Sequence, residues 1–504
     1  MRPAFTFVLH SHLPWVRKAG RWPFGEEWLY QALLDTYIPL AATLDDLVRE
    51  GVRPGITLGV TPVLIEMLRD PYMIVQFDAY LDERIAATLR DVTRFRATSD
   101  PRLALAENYA DQLALVKRQW RTTYQRDIIG AFRQFAKDGA IEIITCAATH
   151  AYLPLLATDS SIFAQLRIGI DTTRKAFGVD PHGIWLPECA YRGAYVAGGV
   201  RRPAIDEFLE QLGIGYFFTD SQAIGGARRV ARLPWSGSLI SKVHLIGHHF
   251  SEQGLAEEIT DPERTTLVPY RLPNSGVAAF ARNQLTSLQV WSREIGYPGD
   301  GAYREFHKRD DHSGNLYWRV TSADCELGAK ELYDPQAALD RVREHAQHFA
   351  ALVATITGQH AHSHPNVHPI LVAPFDAELF GHWWSEGPRW LYEVLRAIDR
   401  HGETALTTPS AYLRGTPVEQ FLELPESSWG EAGDHRVWYN DGTAWMWPII
   451  HDCERIMEGL AAGPARDDRQ ALLLDQAARE LLLLQSSDSV SYTHLRAHET
   501  GRNL

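Results

Sequence analysis

Short apolar runs recur along this chain, separated by stretches of helical period. The runs AFTFVL (4–9), ITLGV (56–60), IEIITCAA (141–148), GIWL (183–186), IGYFFTD (214–220) and ILVA (370–373) are rich in β-branched and aromatic residues. Each is bounded by Gly, Pro or polar residues, the pattern of a buried strand. Between the first two, Trp28, Leu29, Leu33, Tyr37, Leu40, Leu44 and Leu47 repeat at three and four, and Gly51 follows as a stop. Similar helical patterns fill 162–177, 202–212, 335–357 and 387–400, with Asp159-Ser160-Ser161 and Asp334-Pro335 as starts. A four-residue run at 317–320 reads as one more short strand.

Strands alternating with helices predict an α/β fold built on a parallel sheet or barrel. Three regions break the rhythm. The helical stretches 61–95 and 103–137 are too long for plain crossovers and read as a helical insertion. Residues 221–324 mix Gly, Pro and polar runs without a clean βα unit, and read as a subdomain inserted on the rim of a catalytic unit spanning 1–410. From 411 to 488 the chain turns Trp-rich and then Leu-rich (LLLDQAARELLLLQ), the pattern of a C-terminal helical domain. The tail SVSYTHLRAHETGRNL (489–504) has no period and reads as non-native sequence, so it is excluded from fold reasoning.

Composition narrows the functional class. With 504 residues and a net charge of −13, the chain does not resemble a nucleic-acid or anionic-membrane binder. No apolar run reaches about 18 residues, and the N-terminal run is too short for a signal peptide, so a cytoplasmic protein without a membrane span is expected. The four cysteines, Cys146, Cys189, Cys325 and Cys453, form no CxxC pair and indicate neither a zinc site nor a disulfide framework. Fifteen tryptophans exceed ordinary core needs and fit surfaces that stack on flat ligands such as sugar rings.

The ends of the predicted strands carry the polar groups. His10 and His12 follow the first strand, and His150 follows the third. Glu188 follows Pro187, and Asp376, Glu378 and His382 follow Pro374 at the end of the last strand, where a missing N–H should stop pairing. Barrel enzymes keep their chemistry on such a rim. Two rim carboxylates fit retaining glycoside chemistry, which needs a nucleophile and an acid/base about 5–5.5 Å apart with split pKa values. Salt-bridged carboxylates and hydrogen-bonded structural histidines fit the local pattern equally well.

The motifs FVLHSHLPWV, IEIITCAATHAYLP, GIWLPECAYR, SLQVWSREIGYPGDGAYREFH, PFDAELFGHWWSEG and LLLLQSSD lie in this order from residue 7 to 488. In this the chain resembles glycoside hydrolase family 57, and within it the 1,4-α-glucan branching enzymes. The resemblance implies an incomplete (β/α)7 barrel with an inserted subdomain and a C-terminal helical domain. It implies Glu188 as nucleophile, Asp376 as acid/base, His10, His12 and His150 beside the substrate, and Trp291, Trp429 and Trp438 as glucan-stacking residues. It requires no metal or organic cofactor.

The implied reaction is double displacement on an α-1,4-glucan, with transfer to a 6-hydroxyl. The family's loop over the site carries a tip tyrosine that favours transfer. The matching stretch 233–250 has no Tyr, which leaves Trp235 as substitute and makes some hydrolysis expected. The rival readings are an α-amylase or 4-α-glucanotransferase of the same family, a metal-dependent polysaccharide deacetylase, and a non-catalytic glucan-binding protein.

Overall fold

In the computed structural model the described residues are 2–22, 25–225, 264–292 and 295–490. The Tyr-free stretch 233–250, Trp235 with it, and residues 491–504 of the tail lie outside them. Eleven strands are present among the described residues: β1 (Ala4–Ser11), β2 (Ile56–Val60), β3 (Ile141–Cys146), β4 (Gly183–Trp185), β5 (Tyr195–Ala197), β6 (Val200–Arg202), β7 (Tyr216–Thr219), β8 (Tyr270–Arg271), β9 (Ala278–Ala281), β10 (Ile370–Asp376) and β11 (Ala405–Leu406). Seven run parallel in the order β10-β1-β2-β3-β4-β7-β9. A parallel bridge between Arg282 and Val372 brings the two ends of this sheet together. The result is a curled, nearly closed seven-stranded barrel, with β8 antiparallel on β9, β11 beside β1, and β5–β6 a separate hairpin.

Period-two alternation decides what fills the barrel. Ala4 and Val8 of β1, Ile144 and Cys146 of β3, Trp185 of β4, Tyr216 and Phe218 of β7, Ala278 and Phe280 of β9, and Ile370 and Val372 of β10 form one buried cluster. The alternate residues Phe5, Phe7 and Leu9 pack outward against helices such as Pro335–Ser363 and Gly387–His401. Gly183 opens β4 because a Cβ there would meet the Tyr216 ring at 2.1 Å. Continued by two toward the C-terminal rim, the inner rows end in His10, Asp220, Arg282 and Asp376. Strand parity therefore delivers polar side chains to one mouth.

Four details differ from the sequence pattern. The segment 221–324, expected as a rim insertion, supplies β8 and β9 to the sheet itself; its Ala-rich run lacks the β-branched residues that mark a strand. Residues 317–320 form no strand, only the single bridges Arg304–Arg319 and Trp318–Leu332. The helix Asp159–Phe177 is capped by Thr158, whose Oγ1 accepts from Ser161 N–H.

The fourth is Pro374, which does not end β10. The strand stays in register with β1 as far as His10 opposite Asp376. Ile370 N–H donates to Leu267 and Val372 O accepts from Asn283, so the even-numbered residues of β10 turn their backbone groups away from β1. Pro374 shares that direction, and its missing N–H costs the β1 ladder nothing.

The C-terminal part contributes two helices, Met446–Ala461 and Asp468–Leu484, that pack on each other. Trp447 and Ile450 belong to the same buried cluster as Tyr152, Leu153 and Ile162 of the barrel side. No helix among the described residues is long and apolar enough to cross a membrane.

Candidate active site

At the C-terminal mouth lies a cavity of about 920 Å3, lined in part by His10, His12, His150, Glu188, Asp376, Glu378, Trp291, Trp429, Trp438 and Asp488. The eight residues that the family resemblance implies are therefore in one place, whereas the strand-end His382 is not among the lining residues. Trp28, Arg282, Trp383, Glu378 and Asp488 join them.

Glu188 is held in the left-handed region at φ 60°, within the tight turn Pro187–Cys189 that follows β4. Cys189 and His150 also have positive φ, at 49° and 57°. Such backbone costs about 1–3 kcal/mol per non-Gly residue and persists only where its surroundings enforce it. Here Cys189 N–H donates to Leu186 O and Ala190 N–H to Pro187 O, while Glu188 O accepts from Trp429 N–H at 3.0 Å.

Both carboxylate oxygens of Glu188 have donors. Trp429 Nε1 donates to Oε2 at 2.6 Å, and Ser487 Oγ donates to Oε1 at 3.2 Å. Burial raises the Glu188 pKa, opposed by these two donors and by His12. Asp376 has a different setting. Burial, reinforced by the Glu378 and Glu188 carboxylates, pushes it well above the usual carboxylate range, with Arg282 opposing. Glu378 is itself pushed up to about 7 by burial, against hydrogen bonds from Tyr37 and from His12 N–H. Arg282 is ion-paired with Asp220, which limits its help to Asp376.

The three histidines form a stack. His10 lies on Trp185 at 4.8 Å, and His12 lies on His150 at 3.9 Å between ring centroids. Burial first, and neighbouring imidazoles second, lower the pKa of His10 and His150. Burial also opposes charge on His12, but Asp488, Glu378 and Glu188 outweigh it and its pKa is raised. His12 bonds Thr61 Oγ1 through Nδ1 at 3.0 Å and Asp488 Oδ2 through Nε2 at 2.7 Å.

Donor atoms of His12, His150 and Asp488 lie within 4.8 Å of one another, a spacing that could hold a metal ion. Hydrogen bonds already account for the arrangement. Moreover, the two rings are stacked only 18° from parallel, so their nitrogens do not converge on one point.

The tryptophans differ in what they offer. Trp291 and Trp383 are each 40% exposed, and Trp383 also packs on Phe306 at 4.8 Å between ring centroids. Trp429 spends its N–H on Glu188 and sets its ring edge-on to Trp185 at 5.1 Å. Trp438 is only 3% exposed and stacks on Tyr152 at 4.2 Å, which leaves an edge rather than a face for a ligand. Ser487 and Asp488 close the motif LLLLQSSD, and no local pattern marks them as site residues.

Comparison with known proteins agrees with this geometry. The family model for Glycosyl hydrolase family 57 matches residues 6–425. A 1,4-α-glucan branching enzyme of Thermococcus kodakarensis is 43% identical over 497 residues, covering 97% of this chain and 69% of that protein. The crystal structure of a branching enzyme of the same type from Pyrococcus horikoshii superposes with a TM-score of 0.86 at 41% identity, over 100% of this chain and 87% of that one. An α-amylase from Thermotoga maritima gives 0.79 at 29% identity, over 97% and 88%.

Proposed function

The chain belongs to glycosyl hydrolase family 57, and from that premise we propose that it is a retaining 1,4-α-glucan branching enzyme. The carrying observation is that two buried carboxyl groups line one cavity with unequal neighbours, hydrogen-bond donors at Glu188 and other carboxylates at Asp376. Burial raises the Glu188 pKa, but two hydrogen-bond donors and His12 act against that rise on the side of the ionised form. Asp376 faces two other carboxylates and is buried, which favours its protonated form. That is the division of labour a retaining glycosidase needs.

In this reading Glu188 attacks the anomeric carbon of an α-1,4-glucan while Asp376 gives its proton to the departing 4-oxygen. A covalent glycosyl–Glu188 intermediate forms. Asp376, now a carboxylate, takes the proton from the 6-hydroxyl of an acceptor glucose, which displaces Glu188 and leaves an α-1,6 branch of retained configuration. Trp291 supplies an exposed stacking face for the glucan; His10, His12 and His150 shape the floor. Trp429 serves the carboxylate with its N–H, and Trp438 borders the cleft.

The catalytic barrel is assigned to 1–410 and the helical unit to 411–488, with the latter reaching the nucleophile through Trp429 and Ser487. We place the activity in glycogen synthesis in the cytoplasm, a compartment that suits four unpaired cysteines.

The test is incubation with amylose, followed by proton NMR. New α-1,6 anomeric signals in excess of new reducing ends are expected. Reducing ends without branches would replace this reading with hydrolysis of the α-amylase kind, and the Tyr-free stretch 233–250 leads us to expect some hydrolysis beside branching.

A further inference from the structure

The nucleophile's surroundings include one short turn that comes from the far end of the described chain. Residues 486–488 follow the helix Asp468–Leu484 and dock on the barrel mouth by three separate contacts. Ser486 forms an antiparallel bridge with Ala151. Ser487 N–H donates to His150 O at 3.0 Å. Asp488 Oδ2 takes a hydrogen bond from His12 at 2.7 Å and another from Ser486 Oγ at 2.9 Å. A turn fixed at three consecutive residues presents the side chain of the middle one in a defined direction.

That side chain is a hydroxyl between two site residues. His150 Nδ1 lies 2.8 Å from Ser487 Oγ, and Ser487 Oγ lies 3.2 Å from Glu188 Oε1. On its other edge His150 Nε2 lies 3.1 Å from His10 Nε2. One proton arrangement satisfies all of these contacts: His10 donates from Nε2, His150 donates from Nδ1, and the Ser487 hydroxyl, its lone pair occupied, donates to Glu188. A hydroxyl has a single proton, so His150 determines where it points. We propose that Ser487 is a positioning residue for the nucleophile: oriented by His150, its hydroxyl fixes Glu188 Oε1 and, with Trp429 on Oε2, completes a two-donor cradle supplied by the C-terminal part of the chain.

The inference rests on the reading of Glu188 as nucleophile. The charged and titratable groups facing Glu188 are His12, His150, Asp376 and Asp488, with the buried thiols Cys146 and Cys189 and the Tyr152 phenol behind them. Against this background the Ser487 donor acts in one direction, favouring the carboxylate. Removing it raises the Glu188 pKa, so the acid limb of kcat/KM moves to higher pH. The same loss slackens the carboxylate's orientation and lowers kcat more than it raises KM.

Ser487→Ala and Ser487→Thr are compared with the unaltered chain across pH, on amylose, with thermal melting as a check of folding. For Ser487→Ala the expected result is about a tenfold fall in kcat, the loss typical of one hydrogen bond to a charged group, with the acid limb displaced upward. For Ser487→Thr, which keeps the hydroxyl, the limb returns toward its original position. A folded Ser487→Ala protein with unchanged kcat and an unchanged acid limb would overturn the proposal, as would equal displacement in both variants. Mass spectrometry of a trapped glycosyl-enzyme on the unaltered chain tests Glu188 separately. An adduct elsewhere rejects the nucleophile reading whatever Ser487 does.

Discussion

Trp429 Nε1 donates to Glu188 Oε2 at 2.6 Å across 241 positions of sequence, and Trp429 N–H also donates to the Glu188 carbonyl. One residue thus holds both the backbone and the side chain of the candidate nucleophile, and does so from outside the barrel strands. Its family resemblance implies a sugar-stacking surface. Its geometry adds a hydrogen-bonding role that a stacking residue does not need.

These two roles separate in Trp429→Phe, which keeps an aromatic face and removes the donor. A hydrogen bond to a charged group contributes about 1.5–3 kcal/mol, so kcat should fall roughly 10- to 150-fold while KM changes little. Trp429→Ala should add a rise in KM. Steady-state kinetics on maltooligosaccharides distinguish the cases, and a Phe variant with full kcat would reduce Trp429 to stacking alone.

Asp376 supplies a prediction whose sign follows from its neighbours. Burial is the main cause of its raised pKa, and the Glu378 carboxylate comes next. A general acid must be protonated, so the alkaline limb of kcat/KM reports Asp376. Glu378→Gln removes a negative charge and lowers the Asp376 pKa, so the group deprotonates sooner and the alkaline limb moves to lower pH. A pH–rate profile checks this, and displacement in the opposite direction would contradict the assignment of the acid. Asp376→Asn should abolish turnover of amylose. It should spare a glycosyl donor with a good leaving group far more, because that leaving group needs no proton.

Much of the site could be read from strand parity. Val8 and Val372 are inward-facing, and counting by two from them reaches His10 and, past Pro374, Asp376, so these mouth residues follow from the apolar pattern that identifies the strands. Glu188 was visible as a carboxylate just past a breaker. What parity does not reach is anything set by docking. Ser487 lies 337 positions from His150, and its contact depends on how two helices pack on the barrel wall. β9 is not legible in the sequence because its alanines carry no strand preference. β10 extends past Pro374, beyond the end that the sequence predicts, because the effect of a proline depends on which neighbour its N–H would have faced.

Trp291 tests the substrate side of the cleft. It is 40% exposed, lies 6.3 Å from Phe375, and has no described task within the protein core. Aromatic stacking contributes about 0.5–1.5 kcal/mol. Trp291→Ala should therefore raise KM for amylose roughly 2- to 12-fold, with kcat and melting temperature nearly unchanged. A matching fall in kcat would mean that the ring acts on the reacting centre and not on chain binding.

The pair His12–Asp488 gives a stability effect with a defined pH window. His12 has its folded pKa raised from 6.5, although burial opposes it, so its contribution is fully present below about 6.5 and is lost as pH rises through the folded value. Asp488 has its folded pKa lowered from 3.8, again against burial, so its contribution is present above about 3.8 and is lost as pH falls through its folded value. The two overlap in mildly acidic solution, where the imidazolium and carboxylate coexist in the buried bond at 2.7 Å. Breaking a buried pair from one side costs about 3–5 kcal/mol.

Asp488→Asn keeps the shape and removes the charge, so its melting temperature should fall most relative to the unaltered chain between about pH 4 and 6.5. The difference should narrow as pH rises through the folded pKa of His12. In the same variant the His12 resonance should titrate at lower pH, because burial then acts without the carboxylate that opposed it. A melting difference that is constant across this window, with an unmoved His12 titration, would show that Asp488 acts by packing and not by charge.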